Sequence, residues 1–313
     1  DEVRHIVGPD VFDAFRGRIR RHDPDDDANL VDVGCTPRGH RVRLNRHAVE
    51  ADRLIALGAA TYHYHAGFGG GRKSLVPGLA ARATIAHNHS LTLDPEHDRL
   101  HPGAAPGILD GNPVAEEMLA GALLHPPDLT ITTVLDPAGQ LVGCACGDLV
   151  ASHRAGCALV ERVCRATLPA RADLVIASAS RAGNWVQSHK ALFAASRAVS
   201  PTGRIVLLAP CPEGLGSENF RRWIVQPTVA DIYRGLRRTS EINGQTALST
   251  RLRGAQTILV TDMPEPDRTQ LGIRTQPDIE SALRCALAEL SPQGARPTCL
   301  PMPQARHVMP FVA

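Results

Sequence analysis

Lysine is nearly missing from this sequence: only Lys73 and Lys190 occur, against thirty-two arginines in 313 residues. Wherever the chain needs a surface cation it uses arginine. Either a coding bias left two lysines at arbitrary places, or these two positions need an amine, which can lose its proton and act as a nucleophile where a guanidinium in effect cannot; the count alone does not decide. Aromatic residues are scarce, at 4% of the chain, so its cores must be built from Ala, Val, Leu and Ile. No apolar run approaches the length of a membrane span, and no secretory signal opens the chain. The net charge of +2, without dense basic clusters, excludes a nucleic-acid partner. The eight cysteines are dispersed in a chain too large to need staples, which predicts reduced thiols and a cytoplasmic location.

What is present is an ordinary globular composition, with 43% apolar and 21% charged residues, long enough for two domains. The pattern predicts a helix from the N-terminus to about Arg21, short strands over 30–34 and 40–44, and a strand from Ala51 to Leu57. Paired strands are expected over 129–135 and 141–146, followed by a helix over 151–166. Leu168 to Arg171 reads as a boundary. Beyond it, strands at 174–177, 205–209 and 257–260 alternate with helices at 186–198, 217–224 and 279–290. That alternation predicts α/β architecture with mostly parallel sheets, which bind ligands beyond the carboxyl ends of their strands. The expectation is two α/β domains, residues 1–167 and 168–313, with the active site in the cleft between them.

The chemistry concentrates between His63 and His89. Glycines at 67, 69, 70, 71 and 78 surround Arg72 and Lys73. Such a loop permits positive φ and can cradle a phosphate ahead of a helix N-terminus. It is no P-loop, because Arg72 stands where glycine must precede the lysine. His63 and His65 are two apart, as are His87 and His89. In an extended segment that spacing puts both members of a pair on one face, a common metal-ligand arrangement. A zinc-dependent hydrolase using these pairs, with Asp94, Glu96 or Asp98 as its carboxylate, is one reading. A non-catalytic nucleotide-binding protein is another.

The same residues resemble the signature of the nickel-dependent lactate racemase family: His63, then Lys73 ten residues on within Gly70-Gly71-Arg72-Lys73, then Asn88-His89 sixteen further. Lys73-Ser74-Leu75-Val76-Pro77-Gly78 and Leu109-Asp110-Gly111-Asn112-Pro113-Val114 are similar to family phrases too. Gln187-Ser188-His189-Lys190-Ala191-Leu192 resembles a family element, which places the second lysine on a motif. Cys211-Pro212-Glu213-Gly214-Leu215-Gly216 resembles a family turn.

The resemblance implies a racemase or epimerase acting on a 2-hydroxy acid through a nickel-pincer nucleotide, a pyridinium mononucleotide carrying nickel. It implies Lys73 as the covalent tether and His89 as the nickel ligand. Gly69, Gly70, Gly71 and Arg72 would hold the phosphate, and His63 would be the catalytic acid/base. Gln187 and Lys190 would hold the substrate, and Trp185 and Phe220 would line its pocket. Partners would be the small-molecule 2-hydroxy acid and cofactor-maturation enzymes, with no nucleic acid and no membrane. The family pattern also has a segment ahead of Asp1 carrying a second catalytic histidine, so the N-terminal domain is expected to be truncated at its start. His22 reads as structural, His97 and His101 as solvated loop residues, and Cys144 and Cys146 as ordinary strand residues.

Overall fold

The computed structural model describes residues 2–290 and 296–313. Its largest sheet lies in the second half and has five parallel strands. Their spatial order is Arg274–Gln276, Thr257–Val260, Val199–Leu208, Ala172–Ser178 and Cys299–Met302. The central run is almost continuously apolar over 174–177, 205–208 and 257–260, as befits strands covered on both faces. Trp185, Leu192 and Ala195 of helix Trp185–Ala198 pack with Ala247 of helix Ile242–Gly254 on one face. Ala282 and Ala286 of helix Ile279–Leu290 close the other. The chain runs outward from Ala172–Ser178 in one direction and then returns to place Cys299–Met302 on its other side. That reversal is a switch point, where α/β sheets leave a crevice beyond the carboxyl strand ends.

The first half is less regular. A three-stranded sheet pairs Ile55–Ala60 in parallel with Leu129–Leu135, which pairs antiparallel with Leu141–Gly147. Helix Leu149–Cys164 packs on one face, closely enough that a Cβ on Gly156 would meet Thr132 Cγ2 at 2.4 Å. Ile55 and Leu57 point away from it and are 60% and 66% exposed. Two antiparallel pairs, Leu30–Cys35 with Arg41–Asn45 and Tyr62–His63 with Gly67–Phe68, flank the glycine loop. The last strand, Met309–Val312, returns to pair with Arg165–Leu168. There Phe311 packs on Tyr62 beneath the guanidinium of Arg165.

Several elements differ from expectation for local reasons. The N-terminal helix is two helices, Glu2–Val7 and Pro9–Phe15, because Gly8 takes φ 85° and Pro9 cannot continue the hydrogen-bond ladder. The strand expected to end at Leu57 runs over Ile55–Ala60, with Gly58 inside it under the glycine loop. Helices Val229–Arg238 and Ile242–Gly254 were not anticipated. The second buries Gln245, Thr246, Ser249 and Thr250 beside Ala247 and Leu248, so polar residues interrupt the apolar stripe that would mark a helix.

Candidate active site

Lys73 sits in the 3-10 turn Gly71–Ser74. Its N–H donates to Gly70 O at 3.1 Å, and its carbonyl accepts from Gly78 N–H at 3.0 Å. Gly67, Gly70 and Gly71 all have positive φ, and each is backed by protein. A Cβ on Gly67 would meet Ile108 O at 2.0 Å, and one on Gly71 would meet the His153 ring at 2.5 Å. The glycines are therefore required both by backbone conformation and by close approach. Burial, and then neighbouring Arg72, pull the Lys73 ammonium down to about 8. An amine that titrates there is partly nucleophilic near neutral pH.

His63 Nε2 lies 3.4 Å from Lys73 Nζ. Its Nδ1 accepts from the backbone N–H groups of His65 and Ala66, at 3.2 and 3.0 Å. With Nδ1 used as an acceptor, the neutral ring carries its proton on Nε2. Burial pushes His63 well below the usual histidine range, helped by Lys73, His65, His89 and Lys190. His89 is buried near the end of helix Arg82–Ser90 and is pushed down to about 3 by burial and then by Lys73. Its Nδ1 has no hydrogen-bond partner. Lys73, His63 and His89 thus form one cluster.

Lys190 and Gln187 come from helix Trp185–Ala198, whose first turn is capped by Asn184 Oδ1 accepting from Gln187 N–H at 3.2 Å. Lys190 Nζ donates to Gln187 Oε1 at 3.0 Å. The Lys190 ammonium is lowered by burial and by Arg306, which lies just past Met302 at the sheet's switch point. The turn opening at Cys211 holds the start of this helix, since Trp185 N–H donates to Gly214 O and Glu213 N–H to Gly183 O, both at 2.9 Å. Both lysines of the chain therefore act on His63 from opposite halves of the molecule.

Three expectations are corrected. Arg72 does not face the cleft. It is 3% exposed, and it donates Nε to Ala115 O at 3.2 Å and an Nη to Ala66 O at 2.8 Å, while its other Nη lies 3.1 Å from the His153 ring nitrogens. Its donors are spent holding the loop, so it is not turned toward a phosphate. The second His pair is helical, and two residues along a helix turn by about 200°. His87 accordingly points to Glu117, at 3.1 Å, and stacks on His40, while His89 turns inward. Trp185 and Phe220 are fully buried in the core of the second half and line no pocket.

His22 does bridge structure, pairing with Ala80 O and Asn45 at 3.0 and 3.1 Å. His153, which sequence reasoning missed, bonds Gly69 O at 2.9 Å from helix Leu149–Cys164. Nothing near it in sequence marked it. Asn112 was legible, because Asn before Pro predicts a helix start. It caps helix Pro113–Leu123 and also donates Nδ2 to His65 O at 2.8 Å.

Residues 1–100 match the family model described as the lactate racemase N-terminal domain. Lactate racemase of Thermoanaerobacterium thermosaccharolyticum is 34% identical over 206 residues, which are 64% of this chain and 47% of that protein. Lactate racemase of Lactiplantibacillus plantarum is 32% identical over 225 residues, 70% of this chain and 51% of that one. The chain thus spans about half the length of the curated relatives it matches. The structure of the lactate racemase apoprotein from T. thermosaccharolyticum superposes with a TM-score of 0.82 at 27% identity, over 93% of this chain and 70% of that one. Sequence and fold agree with the motifs that cluster around Lys73: residues 1–100 match a lactate racemase N-terminal domain, and the chain is similar to lactate racemases over most of its length.

Proposed function

We propose that this chain carries the cofactor site and one substrate-binding wall of an isomerase that racemises or epimerises a 2-hydroxy acid, lactate or a relative, with a nickel-pincer nucleotide tethered to Lys73. The observation that carries this reading is the cluster itself. An amine lowered to about 8 stands 3.4 Å from a neutral imidazole, beside a buried His89 whose Nδ1 has no partner. Those donors fit the group. A nucleophilic amine can form the covalent link, and a neutral buried imidazole is a good nickel ligand. The Gly69-Gly70-Gly71 turn suits a phosphate. When bound, such a nucleotide would supply a hydride acceptor and donor for C2 of the substrate, chemistry that avoids ionising a very weak C–H acid.

The chain's own residues do the rest. Lys190, steered by Gln187, neutralises the substrate carboxylate. At rest His63 carries its proton on Nε2, because Nδ1 accepts from two backbone N–H groups. To act as general base, the neutral ring gives up those two bonds and carries its proton on Nδ1; its free Nε2 then takes the hydroxyl proton, and the imidazolium so formed returns it to the oxygen as the alcohol re-forms. All eight cysteines are free, and no described helix is long and apolar enough to cross a membrane. Both facts fit a cytoplasmic enzyme served by cofactor-maturation partners.

A zinc hydrolase is disfavoured because His87 and His89 diverge and Asp94 is held by Arg99, at 2.7 Å, and by His97. No group of three or more His, Cys, Asp or Glu suited to a metal occurs among the described residues. Co-expression with maturation enzymes should add a covalent mass on Lys73, mapped by peptide mass spectrometry and lost in Lys73→Arg. An unmodified chain, or an adduct on another residue, would overturn the assignment. A Lys73→Arg chain that still bound the nucleotide with unchanged affinity and no adduct would favour a non-catalytic nucleotide-binding protein.

A further inference from the structure

His65 has no role in the reading above, yet its surroundings single it out. The residue is 2% exposed, and neither ring nitrogen has a hydrogen-bond partner. Its backbone is held at both ends, with N–H donating to His63 Nδ1 and carbonyl accepting from Asn112. Tyr64 packs against the ring at 4.2 Å. The ring is therefore placed by the fold and is not free to swing out for solvent. The titratable groups that act on it most strongly are all bases: His89, His189, Arg253 and Lys73. A neutral imidazole offers one donor and one acceptor, and burying both unpaired is costly unless something acquired satisfies them.

We propose that His65 is a ligand-contact residue of this site, donating its ring N–H to an oxyanion of the group that binds between Lys73 and Lys190. The proposal rests on the racemase reading only in taking that group to be a mononucleotide with its hydroxy-acid substrate. The oxyanion is either the nucleotide phosphate or a carboxylate. A basic, donor-rich surround without a resident acceptor suits both.

The test separates binding from stability in the full chain. Calorimetry measures nicotinic acid mononucleotide and lactate binding to wild type, His65→Phe and His65→Asn, and thermal melts follow the same proteins without ligand. Replacing an unsatisfied buried ring by an apolar one of similar shape should hold or raise the melting temperature while weakening one probe about tenfold. His65→Asn, which keeps a donor, should bind within about threefold of wild type. Loss confined to the mononucleotide assigns the contact to the cofactor, and loss confined to lactate assigns it to the substrate. Equal binding by wild type and His65→Phe overturns the proposal and means that packing or a buried water satisfies the ring. So does a fall in both melting temperature and binding in both variants, which marks a structural residue. If wild type binds neither probe, the site reading itself fails and takes the proposal with it.

Discussion

The two halves of this molecule are held together by different interactions. Where helices pack on the five-stranded sheet the contacts of its central strands are mainly aliphatic, with Val175, Ile205, Leu207 and Leu259 fully buried. Around Lys73 the interior is polar. Arg72 threads four backbone and side-chain partners, His153 clamps Gly69 O, and Glu117 accepts from Thr36 at 2.7 Å while meeting His87. Aliphatic packing is non-directional and tolerates small changes of volume. A buried polar network is directional, and it rigidifies a loop only when each member is in place. The glycine loop around Lys73 is placed by the second kind of interior, and the sheet that presents Lys190 by the first.

The contrast can be broken most decisively at Gly67. Gly67→Ala puts a methyl group against Ile108 O in a left-handed backbone conformation, and should cost at least about 3 kcal/mol in urea unfolding. A near-neutral result would mean that the loop is plastic. A comparable effect is expected at Arg72. Arg72→Met should cost about 3 kcal/mol, because buried carbonyls at Ala66 and Ala115 lose their donor, whereas Ile205→Val in the sheet should cost about 1 kcal/mol. Equal losses at the two sites would erase the distinction.

A further effect, small per residue, is electrostatic. Burial pushes His153 down to about 4 and His189 to about 3. Each is protonated in the unfolded chain below about 6.5 but stays neutral in the fold, so the unfolded state binds more protons as pH falls. Stability should be full above pH 6.5 and decline below it, by up to about 1.4 kcal/mol per histidine at pH 5.5. Urea melts at pH 7.5 and 5.5 check this, and His189→Asn should remove its share of the slope. A stability that does not change over that interval would show that these rings are solvated.

How much was legible follows from the same contrast. Strands such as Thr257–Val260 and helices such as Ile279–Leu290 stand out because a continuous apolar run or an apolar stripe repeats with a known period. Helix Ile242–Gly254 escaped notice because Gln245, Thr246, Ser249 and Thr250 share its buried face with Ala247 and Leu248, and their partners are His89, Tyr64, His189 and Trp185. Hydrogen-bond partners far apart in the chain leave no periodic trace. The His87-x-His89 pair was misjudged for a related reason, since its meaning depends on whether the segment is extended or helical.

The sequence by itself marked 73 and 190 as the positions of its two lysines, grouped glycines at 67, 69, 70 and 71, and carried a spacing similar to that of lactate racemases. These are matters of chemistry and local backbone conformation, set by residue type. Only the tertiary structure decided that Arg72 faces inward as a clamp, that His63 presents Nε2, that His65 is enclosed without a partner, and that both lysines act on the same imidazole. Each of those depends on where distant segments deliver a carbonyl, a ring or a charge, and the direction of a side chain is settled by the partners it meets.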